Sequence, residues 1–531
     1  MALLIAIIYS IELGIDALYG TKHIDGLWYH IPRIIFWRQQ GNFDAWLTPV
    51  WSQIGLPLGA DIVLGQKILL GGGWLGTGYV SYILSIGAIA CVYVIALDLG
   101  FSRWNAAISA ILFGSFPVIG LRIWSMNSDI TAAFPVLASY VVLRRVRNPN
   151  LGVTFFIVLN GIALACKQTV IFQAMLLACV AFWQCRDKIT KVRSISLVVA
   201  ACVLSVSIVT FSFWPLYKKF GDLDGGSGGR GHKVTSFAEF NQSVGMSTCH
   251  WILEPLGYVT PIPRFENNIK IISKNVYNSI GANFEVLPEM WKPWPAQDIG
   301  RSGLVSILFL PILLIGLPRK ARLASSIIFL LGFIPLSGFL HSSPYFARYT
   351  IVLLAGFALI WGGTKYFQRG NKRWILICLI AINIFSLLGV VLMRFYIDKT
   401  VKSKPGGPYY YISAEDRSTI SKSLNGRPLQ ILTSDSLDAL LIGQDISYRI
   451  AYVVSPDDGD WHHEFMKASK TSNWLAVVHG GNDTIPLAAN SHLPNMFFPN
   501  EISINKLEKS LHDSGWTLFK KNPLVDFWKR S

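Results

Sequence analysis

Two carboxylates and two cations stand out because each interrupts an apolar run or sits against the end of one. Asp25 opens Asp25-Gly-Leu-Trp-Tyr-His-Ile-Pro-Arg, and Asp129 lies in Trp124-Ser-Met-Asn-Ser-Asp-Ile-Thr. Lys167 breaks Ile162-Ala-Leu-Ala-Cys-Lys-Gln-Thr-Val, and Arg348 stands beside Tyr349 in Ser343-Pro-Tyr-Phe-Ala-Arg-Tyr-Thr. Ionisable residues at membrane depth are expensive and are functional candidates by default. Fixed cations at headgroup depth can hold a phosphate and stabilise the charge that develops on it; Lys167 and Arg348 suit that task. A carboxylate can orient a hydroxyl or amine and take its proton as an anomeric carbon becomes oxocarbenium-like. Asp25 suits that role, with Asp129 as the second acid. Tyr29, Tyr349 and Trp28 can flank a sugar or an isoprenoid, with His30 and Arg33 beside them for polar contacts. Each charge also has a plainer explanation. The two acids could serve as helix-start acceptors, Lys167 could snorkel and Arg348 could anchor an interface.

The elements that must position these residues are membrane spans. Of 531 residues, 52% are hydrophobic and only 15% are charged, with a mean hydropathy of +0.42, a composition foreign to soluble globular proteins of this size. Apolar runs long enough to cross a bilayer recur to about residue 393. They predict eleven spans: 1–19, 76–97, 105–123, 129–143, 151–166, 168–184, 195–214, 302–317, 323–340, 347–363 and 374–393. The net charge of +16 does not point to nucleic acid, because much of the Lys and Arg lies in short loops between these runs. Those loops are Arg103, Arg144-Arg145-Val146-Arg147, Arg186 to Arg193, Arg319-Lys320-Ala321-Arg322 and Lys365 to Arg373. Assigned to the cytoplasmic side, they leave the first outer loop (20–75), the long loop 215–301 and the C-terminal tail outside. Asp25, Asp129, Lys167 and Arg348 then share that outer face.

Within the first outer loop, 22–46 reads as an amphipathic helix at the membrane boundary, with His30, Arg33, Arg38 and Gln39 on its wet side. A second amphipathic piece, Leu56 to Leu70, is broken by Pro57, Gly59, Asp61 and Lys67. The long loop carries Asp222-Leu-Asp-Gly-Gly-Ser-Gly-Gly-Arg-Gly, which lacks the Gly-Lys-Ser/Thr ending of a phosphate loop and reads as a flexible connector. After residue 394 the composition becomes that of a soluble domain. Strand-like runs at 429–432, 448–454 and 474–478 alternate with helical stretches at 436–442, 463–468 and 501–514, predicting a small α/β domain over 395–531. Asp457, Asp458, Asp460, His462 and His463 share one loop there, at spacings that match no standard metal-ligand set. No metal or other cofactor is indicated, although a divalent ion would be compatible with the chemistry. The seven cysteines form neither a disulfide framework nor a zinc motif.

Taken together, Asp25-Gly-Leu-Trp-Tyr-His-Ile-Pro-Arg with Trp37, Pro57-Leu-Gly-Ala-Asp61, Asn127-Ser-Asp129, Lys167-Gln-Thr and Arg348-Tyr349 resemble the polyprenyl-phosphate-dependent glycosyltransferases of the GT-C superfamily. That superfamily includes the protein O-mannosyltransferases, the aminoarabinose transferases of lipid A and transferases that modify lipopolysaccharide. The resemblance spans about residues 1–393. It implies a membrane catalytic domain over 1–394 with its active site on the extracytoplasmic face of the cell membrane. The donor it implies is a polyprenyl-phosphate-linked sugar, and the acceptor a lipid, glycan or protein of the cell envelope. It also implies Asp25 as the catalytic acid of the first outer loop, Asp129 as the second outer acid, and Lys167 with Arg348-Tyr349 at the donor phosphate. Gly26 stands where the protein mannosyltransferases have the Glu of an Asp-Glu pair, which argues against protein acceptors. The Trp-Trp-Asp motif of the oligosaccharyltransferases is absent, which argues against transfer of whole oligosaccharides. A transporter or flippase of lipid-linked saccharides would also be polytopic and basic inside, but it would be expected to show repeats and ionisable groups near the midplane. A non-catalytic membrane scaffold leaves the four charges unexplained.

Overall fold

The structure, a computed structural model, describes residues 2–19, 26–45, 53–72, 76–123, 126–221, 236–245, 351–364, 414–424, 429–433, 448–452, 474–478, 511–521 and 525–530. It also describes isolated positions within 271–279 and 374–388, and residues 508 and 509. Most of these residues are helical. Among the described residues, four helices are long and apolar enough to cross a membrane: Tyr79–Asp98 (α5), Pro149–Cys166 (α9), Gln168–Ile189 (a 3₁₀ turn running into α10, Ile171–Ile189) and Ile195–Phe220 (α11). Ala2–Tyr19 (α1), Ser128–Arg145 (α8) and Ile351–Gly363 (α12) also fall on sequence-predicted spans. Spans 302–317 and 323–340 lie outside the described residues.

The span expected over 105–123 is two helices, Arg103–Ser115 (α6) and Pro117–Arg122 (α7). Pro117 disfavours helical backbone at the residue before it, and Phe116 is extended at φ −60°, ψ 125°. α11 runs six residues past its expected end, through Pro215, and stops only where Gly221 turns left-handed at φ 75° and bonds back to Tyr217.

α8 and α9 pack along each other, with α5 and α10 against α8 and α11 against α9. Small residues allow the close approach: a side chain at Gly161 would lie 2.7 Å from Ser205 of α11. At one end of the bundle sit Arg144, Arg145, Lys188 and Asp98. There Arg145 pairs with Asp98 at 2.7 Å, and Lys188 donates to the Arg144 and Val146 carbonyls. The first residues of α8 and the last of α9 form the opposite end.

The loop that follows α1 packs onto that opposite end. It folds as a π-turn, Gly26–His30, continuing into Ile31–Gln40 (α2), then Gly59–Leu64 (α3) and Gln66–Leu69 (α4). α2 is not the surface helix expected from its polar residues. Ile31, Ile34 and Trp37 are buried, and so are His30 and Arg33, at 2% and 1% exposure, while Arg38 of the predicted wet side is exposed. Two charged or polar groups can be buried there because α3 supplies a carboxylate opposite them. The same apolar cluster takes in Leu58, Leu64 and Ile68, and also Ile420 and Leu424 of Ala414–Leu424 (α13) with Leu429, Trp474 and Phe527 of a sheet.

Among the described residues that sheet has five strands: Leu429–Thr433 (β1), Tyr448–Tyr452 (β2), Trp474–Val478 (β3), Trp516–Lys521 (β4) and Val525–Arg530 (β5), in the order β2-β1-β3-β5-β4. β1 is parallel to β2 and β3, and β5 is antiparallel to β3 and β4. β1, β2 and β3 lie on the three strand-like runs; β4 and β5 were not expected. The helical stretches 436–442 and 463–468, the acidic-histidine loop at 457–463 and the glycine-rich run at 222–231 lie outside the described residues.

Candidate functional site

Asp129 is the second residue of α8, and the helix is capped by another side chain. The Asn127 side chain accepts the Asp129 backbone N–H at 2.9 Å, which leaves the Asp129 carboxylate for other partners. It has two cationic ones. Lys167, extended at the end of α9, bonds Oδ1 through Nζ, and Arg122, the last residue of α7, places Nε 3.7 Å from Oδ2. The Asp129 and Arg122 side chains are 0% exposed, while Lys167 retains 13%. Lys167 is thus no snorkelling lysine, and Asp129 is no cap. Two cations converge on one buried carboxylate, all three at helix ends.

A second cluster is built by the loop that follows α1. Asp61 of α3 accepts from His30 Nδ1 at Oδ1 and from Arg33 Nη1 at Oδ2, the latter at 2.8 Å. Arg33 also donates to the Pro57 carbonyl at 3.3 Å and the Leu56 carbonyl at 2.5 Å, and its guanidinium lies 4.7 Å from the Trp37 ring centre. Burial lowers the proton affinity of Arg33, and the Asp61 carboxylate opposes that shift. Arg33 therefore organises the 56–61 turn around itself. The Tyr29 ring lies 4.2 Å from that of His30, tilted by 45°.

One clamp joins the two clusters. Ser212 Oγ of α11 donates to the Ala165 carbonyl at 2.6 Å and accepts the Gly59 N–H at 2.9 Å, and the Leu58 N–H bonds the Ser212 carbonyl at 3.2 Å. Ala165 stands two residues before Lys167 and Gly59 two before Asp61. α3 also packs against both α8 and α9, so both charge clusters lie at the same end of the bundle.

Of the sequence-predicted site residues, the structure brings Asp129 to Lys167 and places Tyr29, His30 and Arg33 together. Asp25, Arg348 and Tyr349 lie outside the described residues. Asp61 and Arg122 were not singled out as site residues. The available signals were a carboxylate inside an otherwise apolar Gly-Ala-Asp-Ile-Val-Leu run and an arginine at the end of a predicted span. Among the described residues no group of three or more His, Cys, Asp or Glu side chains is arranged to hold a metal ion.

No protein-family model matches the chain. No curated protein matches it either. Among solved structures it is similar to ArnT from Cupriavidus metallidurans bound to undecaprenyl phosphate, at 10% identity with a TM-score of 0.48, over 99% of this chain and 96% of that one. It is also similar to the same protein in the apo state, at 9% identity and a TM-score of 0.41, over 99% and 97%.

Proposed function

We propose that this chain is an integral membrane glycosyltransferase that moves a hexose or pentose from a polyprenyl-phosphate donor to a cell-envelope acceptor, with inversion at the anomeric carbon. The observation that carries the reading is the placement of Lys167 and Arg122 on the buried Asp129, beside the Asp61 cluster and at one end of an apolar bundle. A polyprenyl-phosphate sugar has its anionic group at the headgroup level, and cations at a bundle end are where that group would arrive. Asp129 holds the cations in place before substrate binds, so little reorganisation is needed when phosphate leaves. In this reading Lys167 and Arg348 hold the phosphate, Asp25 takes the proton of the acceptor hydroxyl or amine, and Tyr29 and Tyr349 flank the sugar. Residues 1–394 form the catalytic domain, 395–531 an appended α/β domain, and both the site and that domain face outward. The charges of the Asp129 cluster stand at helix ends rather than at mid-span, which favours a transferase over a transporter.

The test is transfer from a panel of synthetic polyprenyl-phosphate sugars by the purified full-length chain in nanodiscs, paired with donor-binding titrations. Asp25→Asn should bind donor as the parent does and transfer about 10²-fold more slowly. Lys167→Ala should weaken binding and transfer together, because the phosphate is anionic in ground and transition states alike. Mass spectrometry of envelope glycans with and without the gene then identifies the sugar. Parent-like transfer by Asp25→Asn would remove this carboxylate from the chemistry.

A further inference from the structure

Arg147, Lys191 and Arg193 lie at the end of the bundle away from Lys167, and neither charge cluster uses them. Arg147 stands in the turn between α8 and α9, the other two in the turn between α10 and α11. The two turns are tied together twice. Lys188 Nζ, from the last turn of α10, donates to the Val146 carbonyl, and the Asn150 side chain accepts the Arg193 N–H at 3.0 Å and the Ser194 N–H at 3.2 Å. Arg147 is therefore held between the two ties on one segment and Lys191 between them on the other, with Arg193 at the second tie. All three side chains are exposed, and no carboxylate among the described residues pairs with any of them. The acids of α5 and α10 are already taken, Asp98 by Arg145 and Asp187 by Arg186. Like charges gathered without a counter-charge repel one another, and an arriving anion removes that cost. The helix starts themselves are not open, because the Asn148 side chain caps α9 and the Ser194 side chain caps α11. The three cations are thus what this surface offers an anion. One residue past Asn150 and Ser194 the surface becomes apolar, with Leu151 and Phe155 exposed on α9 and Ile195 exposed on α11. Cations at the ends of two membrane helices, with bare apolar side chains directly behind them, fit a molecule that is anionic at its head and apolar behind it.

We propose that the paired segments 146–150 and 188–194 bind the headgroup of an anionic phospholipid. Arg147, Lys191 and Arg193 bond its phosphate oxygens, the guanidinium forks matching the oxygen geometry, while Leu151, Phe155 and Ile195 lie along its acyl chains. Asn150 is a positioning residue: it holds the turn that carries Arg193 against the segment that carries Arg147. A lipid seated there bridges the α8–α9 and α10–α11 connections. The surface is at the opposite end of the bundle from Asp129, so its role does not depend on the transferase chemistry.

The experiment titrates the full-length chain in detergent with dioleoylphosphatidylglycerol or dioleoylphosphatidylcholine, with and without inorganic phosphate, and counts bound lipid by native mass spectrometry. A cation close to an anionic headgroup contributes about 5-fold in affinity, so the parent should prefer phosphatidylglycerol by about 10²-fold. Arg147→Gln, Lys191→Gln and Arg193→Gln should each lower phosphatidylglycerol affinity by about 5-fold, and the triple variant should lose the preference altogether. Where the triple variant folds poorly, the three single variants decide. Asn150→Ala removes no charge and should still weaken phosphatidylglycerol binding, because Arg193 is no longer held beside Arg147. Arg103→Gln, an exposed cation that starts α6 at the same end of the bundle, is the control and should bind as the parent does. A triple variant that keeps the parent's preference overturns the proposal. So does an equal loss in Arg103→Gln and Arg147→Gln, which would mean diffuse attraction to a basic surface. Displacement of phosphatidylglycerol by inorganic phosphate overturns it as well, in favour of a site for a free anion.

Discussion

Replacing Gly59 with alanine tests whether the two charge clusters are mechanically one site. A Cβ at that position would lie 2.5 Å from the Ala165 carbonyl oxygen and 2.7 Å from its carbon, where ordinary contact begins at 3.4 Å. The obstacle is backbone, so no rotamer relieves it, and roughly 0.9 Å must come from moving α3 or the last turn of α9. Overpacking of this kind costs about 1–3 kcal/mol of stability. The functional effect should be larger, because the displaced turn carries Lys167 and the displaced helix carries Asp61. A misplacement near 1 Å in a reacting geometry costs about 10²-fold in rate, even when the mutated residue touches no substrate. Thermal unfolding in detergent and donor-to-acceptor transfer in nanodiscs measure the two effects. Gly14→Ala is the control, since a Cβ there would meet nothing within 4 Å. Parent-like transfer and melting in Gly59→Ala would show that α3 and α9 move independently and that the clamp is incidental.

Ser212→Ala removes the hydroxyl that accepts from Gly59 and donates to Ala165, and should cost about 1–3 kcal/mol in thermal unfolding with a matching loss of transfer. Asp129→Asn strips the counter-charge from Lys167 and Arg122 and should destabilise by about 3–5 kcal/mol; adding Lys167→Met should recover much of the stability and none of the activity. No recovery in the double variant would mean that the pair is not the source of the cost. Lys218→Ala breaks an ion pair to Asp44 that is more than half exposed on both sides, and should leave melting and transfer within error. A reporter fused after Arg394 should score outside the cytoplasm and one near Arg322 inside. The reverse result would undo the orientation of the site.

Helix positions were legible wherever length and hydropathy decide them. The run 76–97 became Tyr79–Asp98 and 151–166 became Pro149–Cys166, because a span needs about 20 apolar residues and announces itself. Breaks were legible only in part. Pro117 breaks the expected span 105–123 in two, whereas Pro215, the first residue past the expected span 195–214, does not end α11. A helix survives the loss of one backbone bond when a better terminator follows, and Gly221 provides it. The site divided in the same way. That Asp129 and Lys167 lie at the same end of the bundle followed from counting spans, but their direct pairing depends on how α8 and α9 lie against each other.

The misreading of α2 has a physical cause that reaches the chemistry. Amphipathicity assigns charged residues to water because water is the default partner for charge, and His30 and Arg33 were placed on a wet face by that rule. Asp61 reverses it from 28 and 31 residues away in sequence, and pattern along the chain carries no trace of such a pairing. Burying the cluster raises what each charge does to its neighbours, since nearby water no longer screens it. A loop helix that looked like a membrane-surface float is instead part of the wall behind the site. Its polar residues hold geometry in place of wetting a surface, and the segment that begins at Gly26 is for that reason fixed to the bundle end that carries Lys167.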